Sequence, residues 1–233
     1  MKAMILAAGE GTRLRPMTIY KPKVLLPIGD VPLIHRTLLW LKRFGITDVA
    51  MNLHHLGDAI QNDLHDGSDI GMRITYSQEE VLLGTSGGVR RMKDYFGATF
   101  AVIYGDVYTN LNLQDMVAFH KSKGAIATLA VSERPNPWEL AIVQLDKEGR
   151  IIHLIEKPPA SLNVGNLANG GVYILEPAIL NYIPSEGSSD FGYDIFPNLL
   201  NLKESVYAYV LGPQEYLVDI GTPKGYHQAN QLC

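Results

Sequence analysis

The chain is poor in cysteine, in positive charge and in long apolar runs, and each shortage closes off a class of function. Among its 233 residues the one cysteine is the last, Cys233, which excludes an internal disulfide and a cysteine-based zinc site. Lys and Arg number 20 against 24 Asp and Glu, a net charge of −4. No nucleic-acid partner is expected from that balance, because clustered basic residues would push it positive. No run approaches the roughly 20 apolar residues of a membrane helix, and no N-x-[ST] acceptor occurs. The apolar start at residues 1–8 ends at Gly9 and leads into charge, so it reads as a buried first strand of a cytoplasmic protein, not as a signal peptide. What the chain does have is 46% hydrophobic residues and only 19% charged ones. That composition can bury a core and excludes disorder.

Short apolar runs rich in valine and isoleucine alternate with segments of helical period, the pattern of a mainly parallel sheet covered by helices. Strands are expected at 2–8, 49–53, 72–76 and 100–104, and helices at 33–44, 59–64, 88–95 and 115–122. The first of these helices is entered at Pro32 and closed by Gly45. After Ala125 the strands crowd together, at 125–131, 141–145 and 151–155, with Asp146-Lys147-Glu148-Gly149 as a hairpin turn. Further strands at 172–175, 206–211 and 216–218 and a closing helix at 222–232 complete an α/β fold. It is Rossmann-like and mixed, mainly parallel, with extra antiparallel strands in the C-terminal half. Neither an internal repeat nor a low-complexity linker is present, and the prolines at 135–137 and 158–159 read as turns. A single domain over 1–233 is expected, with one half at about 1–124 and the other at 125–233.

Leu6-Ala7-Ala8-Gly9-Glu10-Gly11-Thr12-Arg13-Leu14-Arg15-Pro16, followed by Lys21-Pro22-Lys23, is the strongest local feature. A buried strand feeding a loop with two glycines exposes successive backbone N–H groups, and Arg13, Arg15, Lys21 and Lys23 place four cations within eleven residues. That is a cradle for phosphates, or else a tight turn with a solvated basic rim. It is neither a Walker A loop nor a full G-x-G-x-x-G, since Leu14 stands where the third glycine belongs. Tyr104-Gly105-Asp106 puts a carboxylate at the C-terminal end of a strand, the edge where open sheets bind ligands. Asp106 there could hold Mg2+, which prefers oxygen, or simply make an Asx turn. Asp219, in Val218-Asp219-Ile220-Gly221-Thr222-Pro223, repeats the arrangement, and the two aspartates form one metal site only if their strands are neighbours.

Glu156-Lys157-Pro158 ends a strand with opposite charges side by side, either to address a ligand or as a polar strand end before a proline stop. Gly84-Thr85-Ser86-Gly87-Gly88 matches the G-x-S-x-G elbow of serine hydrolases, with Asp219 and His227 in the right chain order. Against that elbow, residues 79–83 make a poor buried strand and His227 falls in a helix. The alternative is a glycine-rich turn opening the helix near Gly88. The other histidines, His35, His54, His55, His65, His120 and His153, lack H-E-x-x-H spacing and read as structural or surface residues.

Together these motifs resemble the sugar-1-phosphate nucleotidyltransferases. Residues 6–16 with Pro22-Lys23 look like the family's signature loop, and Gly105-Asp106 like its first metal motif. Glu156-Lys157-Pro158 looks like its sugar-phosphate motif and Asp219-Ile220-Gly221-Thr222-Pro223 like its second metal motif. The resemblance implies transfer of a nucleoside monophosphate from an NTP to a sugar-1-phosphate. In that likeness Arg13 and Lys23 are catalytic, Arg13 holding the outer phosphates and Lys23 meeting the reacting one. Leu6, Ala7, Ala8, Gly9, Gly11, Thr12, Glu79, Gly84 and Thr85 bind the nucleotide. Asp106 and Asp219 hold Mg2+; Lys157 takes the sugar phosphate, with Gly105 in the same site, and Glu156 and Asn169 take the sugar hydroxyls. The two halves of the chain are then a nucleotide-binding half and a sugar-phosphate-binding half.

Glu79 falls where thymidylyl and uridylyl members often carry glutamine. A carboxylate offers only acceptors, and the edge of guanine presents two adjacent donors, so the expectation is GTP with mannose-1-phosphate or a heptose-1-phosphate. Thymidylyl or uridylyl transfer to glucose-1-phosphate is the rival, and Glu79 and Glu80 could instead be solvated loop acids. A non-catalytic sugar-nucleotide sensor and a serine hydrolase are more remote. Two departures from the family stand out. Trp138-Glu139-Leu140-Ala141 has Ala141 where many relatives have a glycine against the sugar. The sequence also ends about ten residues after Pro223, without a left-handed β-helix, which leaves the assembly open, a homo-oligomer included.

Overall fold

A computed structural model of the chain describes residues 1–135, 140–159, 162 and 164–233. The strands of the first half are β1 (Lys2–Leu6), β2 (Pro27–Ile28), β3 (Val31–Pro32), β4 (Asp48–Leu53), β5 (Arg73–Gln78), β6 (Phe100–Tyr104) and β7 (Val107–Thr109). Those of the second are β8 (Ala127–Glu133), β9 (Ala141–Leu145), β10 (Ile151–Glu156), β11 (Leu167–Leu175), β12 (Val206–Val210) and β13 (Leu217–Asp219). The helices are α1 (Leu33–Arg43), α2 (Gly57–Leu64), α3 (Gly84–Arg91), α4 (Leu113–Lys123), α5 (Phe196–Asn201) and α6 (Pro223–Gln231). Trp138 and Glu139, singled out near the sugar motif, and Asn136 and Pro137 of the expected turn lie outside the described residues.

Strands β5, β4, β1 and β6 lie side by side and parallel. Beyond β6 the sheet turns antiparallel: β11 pairs with β6, with β8 and, at Ala168, with β9, which forms the expected hairpin with β10. One strand breaks the pattern, since β12 runs parallel to β8. From β1 the chain crosses to β4 on one side and later returns as β6 on the other. That reversal opens a crevice beyond the C-terminal ends of β1 and β6, where open sheets bind ligands.

β1 and β6 read as unbroken apolar runs because both of their faces are covered. Ala3 and Ile5 pack with Leu38 and Leu41 of α1 and Ile60 of α2. Met4, pointing the other way, packs with Phe100, Tyr173, Phe191 and Phe196. The alternation is the period of two that a pleated strand imposes. No helix among the described residues is long and apolar enough to cross a membrane.

Two expected boundaries move for a physical reason. β1 stops at Leu6 because the next N–H, of Ala7, leaves the ladder and donates to Asn52 Oδ1 at 2.9 Å. α3 begins at Gly84, four residues before the expected start near Gly88. Two of its early N–H groups, which lack intrahelical acceptors, share one carbonyl: Ser86 N and Gly87 N donate to Ser189 O at 3.2 and 3.3 Å.

His120 of α4 is 1% exposed and lies 2.8 Å from Thr128 Oγ1 and 3.1 Å from Glu176 Oε1. Burial lowers its pKa, with Glu176 opposing. An unfolded histidine takes up its proton near pH 6.5, before the folded one does. Stability is therefore complete above that pH and falls as pH drops below it. Thermal melts between pH 7.5 and 5 are expected to show a shallower decline for His120→Gln than for the unaltered chain.

Candidate active site

The opening turn, the two aspartates and the sugar-phosphate motif meet around two adjoining clefts. The first is lined by Leu6, Ala7, Ala8, Gly9, Lys23, Asn52, Glu79, Gly84 and Thr85. Arg13, Ala141, Glu156, Lys157, Asn169 and Asp219 line the second. Both also touch Tyr104, Asp106 and Asp190, so Asp106 stands at their junction. Residues from either side of position 125 contribute to each cleft.

Gly11 and Thr12 line neither cleft. Gly11 sits at φ 65°, where a Cβ would press on Thr18 at 3.1 Å and on Lys23 at 3.2 Å, so glycine lets the loop close over these side chains. Thr12 begins a single helical turn, Thr12–Leu14, that presents Arg13 to the second cleft. Of the four cations in the loop, Lys23 and Arg13 reach the clefts, whereas Arg15 turns outward to Glu10 at 3.7 Å. Gly105 is structural in its contacts: its N–H donates to the Leu6 carbonyl at 2.9 Å, and a Cβ would meet that carbonyl oxygen at 2.7 Å.

The far-apart aspartates are joined by a short ribbon. β7 leaves Asp106 directly and pairs antiparallel with β13, placing Val107 opposite Asp219, while Ile220 N donates to Asp106 O at 2.9 Å. Both carboxylates flank the point that a Cβ at Gly221 would occupy: Asp219 Oδ1 lies 2.7 Å from it, Asp106 Oδ2 3.3 Å and Arg13 Nη2 2.8 Å. Lys23 Nζ donates to Asp106 Oδ2, and Arg13 Nη2 lies 3.9 Å from Asp219 Oδ2. Burial resists ionisation of Asp106, but the Lys23 ammonium outweighs it and holds this carboxyl below its usual range. Burial, and then the negative charge of Asp106, push Asp219 up to about 6. Such a pair is under electrostatic tension that a cation would relieve. An all-oxygen pair suits Mg2+, which keeps several waters and takes one or two protein carboxylates. Among the described residues no cluster of three or more His, Cys, Asp or Glu forms a fuller cage.

At the sugar-phosphate motif, β10 ends at Glu156 and Lys157 leaves strand geometry, with φ 43°. Successive residues of a strand face opposite ways, and this left-handed step lets both side chains line one cleft. A non-glycine residue held there costs of order 1–3 kcal/mol and is typical of functional sites. Burial raises the pKa of Glu156, with Lys157 opposing. Asn169 is oriented by its neighbours, its Nδ2 donating to Tyr173 Oη at 2.8 Å and its Oδ1 accepting from Gly171 N at 3.2 Å.

Glu79 is 1% exposed and is not a solvated acid, whereas Glu80 is exposed. Its Oε1 accepts from Asn52 Nδ2 at 2.9 Å and its Oε2 from Leu83 N at 3.0 Å. Asn52 also takes the Ala7 N–H, so a single side chain ties the opening turn to the 79–85 segment. Gly84, at φ 77°, lies so close to Ser189 that a Cβ would come within 2.2 Å of its carbonyl oxygen. Thr85 Oγ1 donates to Asp190 Oδ2 at 2.7 Å.

The hydrolase reading fails on geometry. Ser86 is fully buried and pairs with Ser189 Oγ at 2.7 Å, and His227 lies exposed on α6, next to Gln231. Asn52, Asp190 and Arg134 also line the clefts, and none belongs to a motif of the sequence. Asn52 left a signal, a lone amide in the otherwise apolar Val49-Ala50-Met51-Asn52-Leu53. Asp190 and Arg134 left none.

The family model for nucleotidyl transferases matches residues 2–233. The chain belongs to that family. The chain is 36% identical over 243 aligned positions to a UTP–glucose-1-phosphate uridylyltransferase of Synechocystis, an alignment covering 98% of this chain and 62% of the relative. It is 34% identical to mannose-1-phosphate guanylyltransferase 1 of Arabidopsis thaliana, covering 97% of this chain and 63% of the relative. The chain thus spans less than two thirds of the length of these relatives. Among solved structures it resembles that of a protein from Bacillus anthracis described as a glucose-1-phosphate thymidylyltransferase in complex with a sucrose. The TM-score is 0.88 at 25% identity, covering all of this chain and 94% of that one. The chain is therefore mixed α/β in the same arrangement, a mostly parallel sheet flanked by helices.

Proposed function

We propose that the chain transfers a nucleoside monophosphate from an NTP to a sugar-1-phosphate and releases pyrophosphate. One observation carries this reading: Arg13, Lys23, Asp106 and Asp219 converge where two clefts meet, one beside the glycine-rich turn and one beside Glu156, Lys157 and Asn169. Two clefts with a charged junction suit two substrates whose phosphates must react with each other. The acceptor phosphate is already anionic at neutral pH, its second pKa being about 6, so no general base is required. The work is to align two anions that repel and to neutralise charge on the reacting phosphate. Lys23 does so at the junction and Arg13 from the second cleft, while Glu156 and Asn169 orient the sugar through its hydroxyls. Asp106 and Asp219 would hold Mg2+, which when bound neutralises phosphate oxygens and orients them.

GTP is the preferred donor in this proposal, and mannose-1-phosphate or a heptose-1-phosphate the acceptor. Glu79 is buried at the wall of the first cleft with its carboxylate fixed by Asn52 and Leu83. Each oxygen keeps a further lone pair, and two adjacent acceptors match the N1–H and N2–H donors of guanine. The second reading, uridylyl or thymidylyl transfer to glucose-1-phosphate, draws on the same contacts. If both oxygens serve only the protein, the base is read by backbone.

Pyrophosphate release across the four NTPs and a panel of sugar-1-phosphates tests the proposal. Turnover is expected with a sugar-1-phosphate and not with water, and no turnover with any pair would favour a sensor. Glu79→Gln is expected to reduce the ratio of kcat/KM for GTP over UTP by roughly 10-fold or more, the worth of one hydrogen bond to a charged group. A retained ratio would assign base reading to the backbone.

A further inference from the structure

Arg134 follows β8 directly and belongs to none of the sequence motifs. Its backbone N–H donates to Asn166 O at 2.9 Å, fixing it beside the start of β11. Its side chain lines the cleft of Arg13, Glu156, Lys157, Asn169 and Asp219. One Nη donates to the carbonyl of Leu217, two residues before Asp219. Its Nε–H is buried and lacks a hydrogen-bond partner among the described residues. Nor does any carboxylate among them come within salt-bridge distance of the guanidinium.

A permanent cation held in a cleft with a buried, unused donor is an expensive arrangement, and such donors usually have partners. Burial works against the charge of Arg134 and the nearby Asp219 carboxylate works for it. An incoming anion would satisfy both the donor and the charge. The planar guanidinium suits phosphate in particular, because it offers several N–H donors in a fixed fork. The other cations at this cleft are differently engaged: Arg13 lies toward Asp219, and Lys157 Nζ stands 6.0 Å from the centre of the Tyr193 ring.

We propose that Arg134 grips the phosphate of the acceptor sugar-1-phosphate together with Lys157, holding it from a second side next to Asp219. The proposal rests on the nucleotidyl-transfer reading above and adds a specificity-determining residue to it. The competing role is structural: through Leu217, Arg134 would only brace β13, and its loss would then be felt equally by both substrates.

Steady-state kinetics of the full chain and of Arg134→Gln separate the two, using the NTP and sugar-1-phosphate that the unaltered protein turns over best. The KM for the sugar-1-phosphate is expected to rise roughly 10- to 100-fold, while the KM for the NTP stays within a factor of about two. Guanidinium ion added to Arg134→Ala is expected to restore part of the lost rate. Should Arg134→Gln fail to fold, Arg134→Lys carries the same comparison, since it keeps a charge and loses the fork. A rise confined to the sugar-1-phosphate supports the proposal. An unchanged sugar-1-phosphate KM, or equal losses toward both substrates, overturns it and leaves nucleotidyl transfer standing. Absence of turnover by the unaltered protein with every pair overturns the transfer reading, and the role of Arg134 with it.

Discussion

Lys23→Ala is expected to lower kcat by roughly 10²- to 10³-fold, the cost of removing one preorganised charge from a transition state. NTP affinity should fall much less, because the backbone of Ala7, Ala8 and Gly9 and the rest of the first cleft remain. The asymmetry follows from where Lys23 stands. It is only 14% exposed, in contact with Asp106 at the junction of the two clefts, and not along the wall where a base would lie. In the proposed transfer its charge is applied where the two phosphates meet, and interactions stronger in the transition state than in the ground state raise kcat. A second consequence concerns Asp106, whose carboxyl Lys23 holds below its usual range against burial. Without the ammonium, Asp106 ionises less readily, and the apparent affinity for Mg2+ near neutral pH should weaken. Single-turnover rates and NTP binding measured side by side check both expectations. A variant that binds poorly yet turns over normally once saturated would remove Lys23 from the reacting phosphate.

Asp219→Asn should do two opposite things. Activity falls roughly 10³-fold, because a neutral amide is a poor partner for a divalent cation and several kcal/mol of charge stabilisation are lost. Stability of the chelated protein rises. Asp219 is pushed up to about 6, above the 3.8 of an ordinary aspartate, by burial and by Asp106. A raised carboxyl pKa means that its contribution to stability is complete at low pH and is lost as pH climbs from the unfolded value through the folded one. At neutral pH the unaltered fold therefore carries a buried repulsion that the amide removes. The amide oxygen can still accept the Gly221 N–H, which Asp219 Oδ1 takes at 2.6 Å. A melting temperature higher by a few degrees, together with lost turnover, is the expected signature of stability given up for function. Reduced stability would mean that the carboxylate is a scaffold and not a ligand.

Much of this was legible in the sequence because strand ends carry local signals. The run into Gly9, the Gly-Asp after β6 and the Asp-Ile-Gly that begins with the last residue of β13 each announce a carboxylate or an amide array at the ligand-binding edge. Their convergence was not legible. It depends on β13, expected at 216–218, pairing with β7, which at three residues is too short for any period to declare itself, and on Ile220 docking onto the Asp106 carbonyl. That Glu156 and Lys157 share one cleft was not legible either, for another reason. Strand alternation separates Lys157 from Glu156, and only the left-handed backbone step returns it to the same cleft. α3 began early because a carbonyl about one hundred residues away, Ser189 O, satisfies its first turn. Phe191–Ile195, a single π-turn leading into α5, gave no pattern either, since one widened turn shifts the helical period that would have revealed it. Glu79 reads as a loop acid by residue type, yet a buried amide and an N–H hold it inside.

The proposed transfer requires a phosphate oxygen of the sugar substrate to attack the α-phosphorus of the NTP. It is tested most directly by running the reaction with sugar-1-phosphate carrying 18O in its non-bridging phosphate oxygens and reading the products by mass spectrometry and 31P NMR. The expected result is full retention of label in the nucleotide sugar, with one 18O in the bridge between its two phosphorus atoms, and unlabelled pyrophosphate. Label in the pyrophosphate, or release of free nucleoside monophosphate with an oxygen from water, would contradict the account.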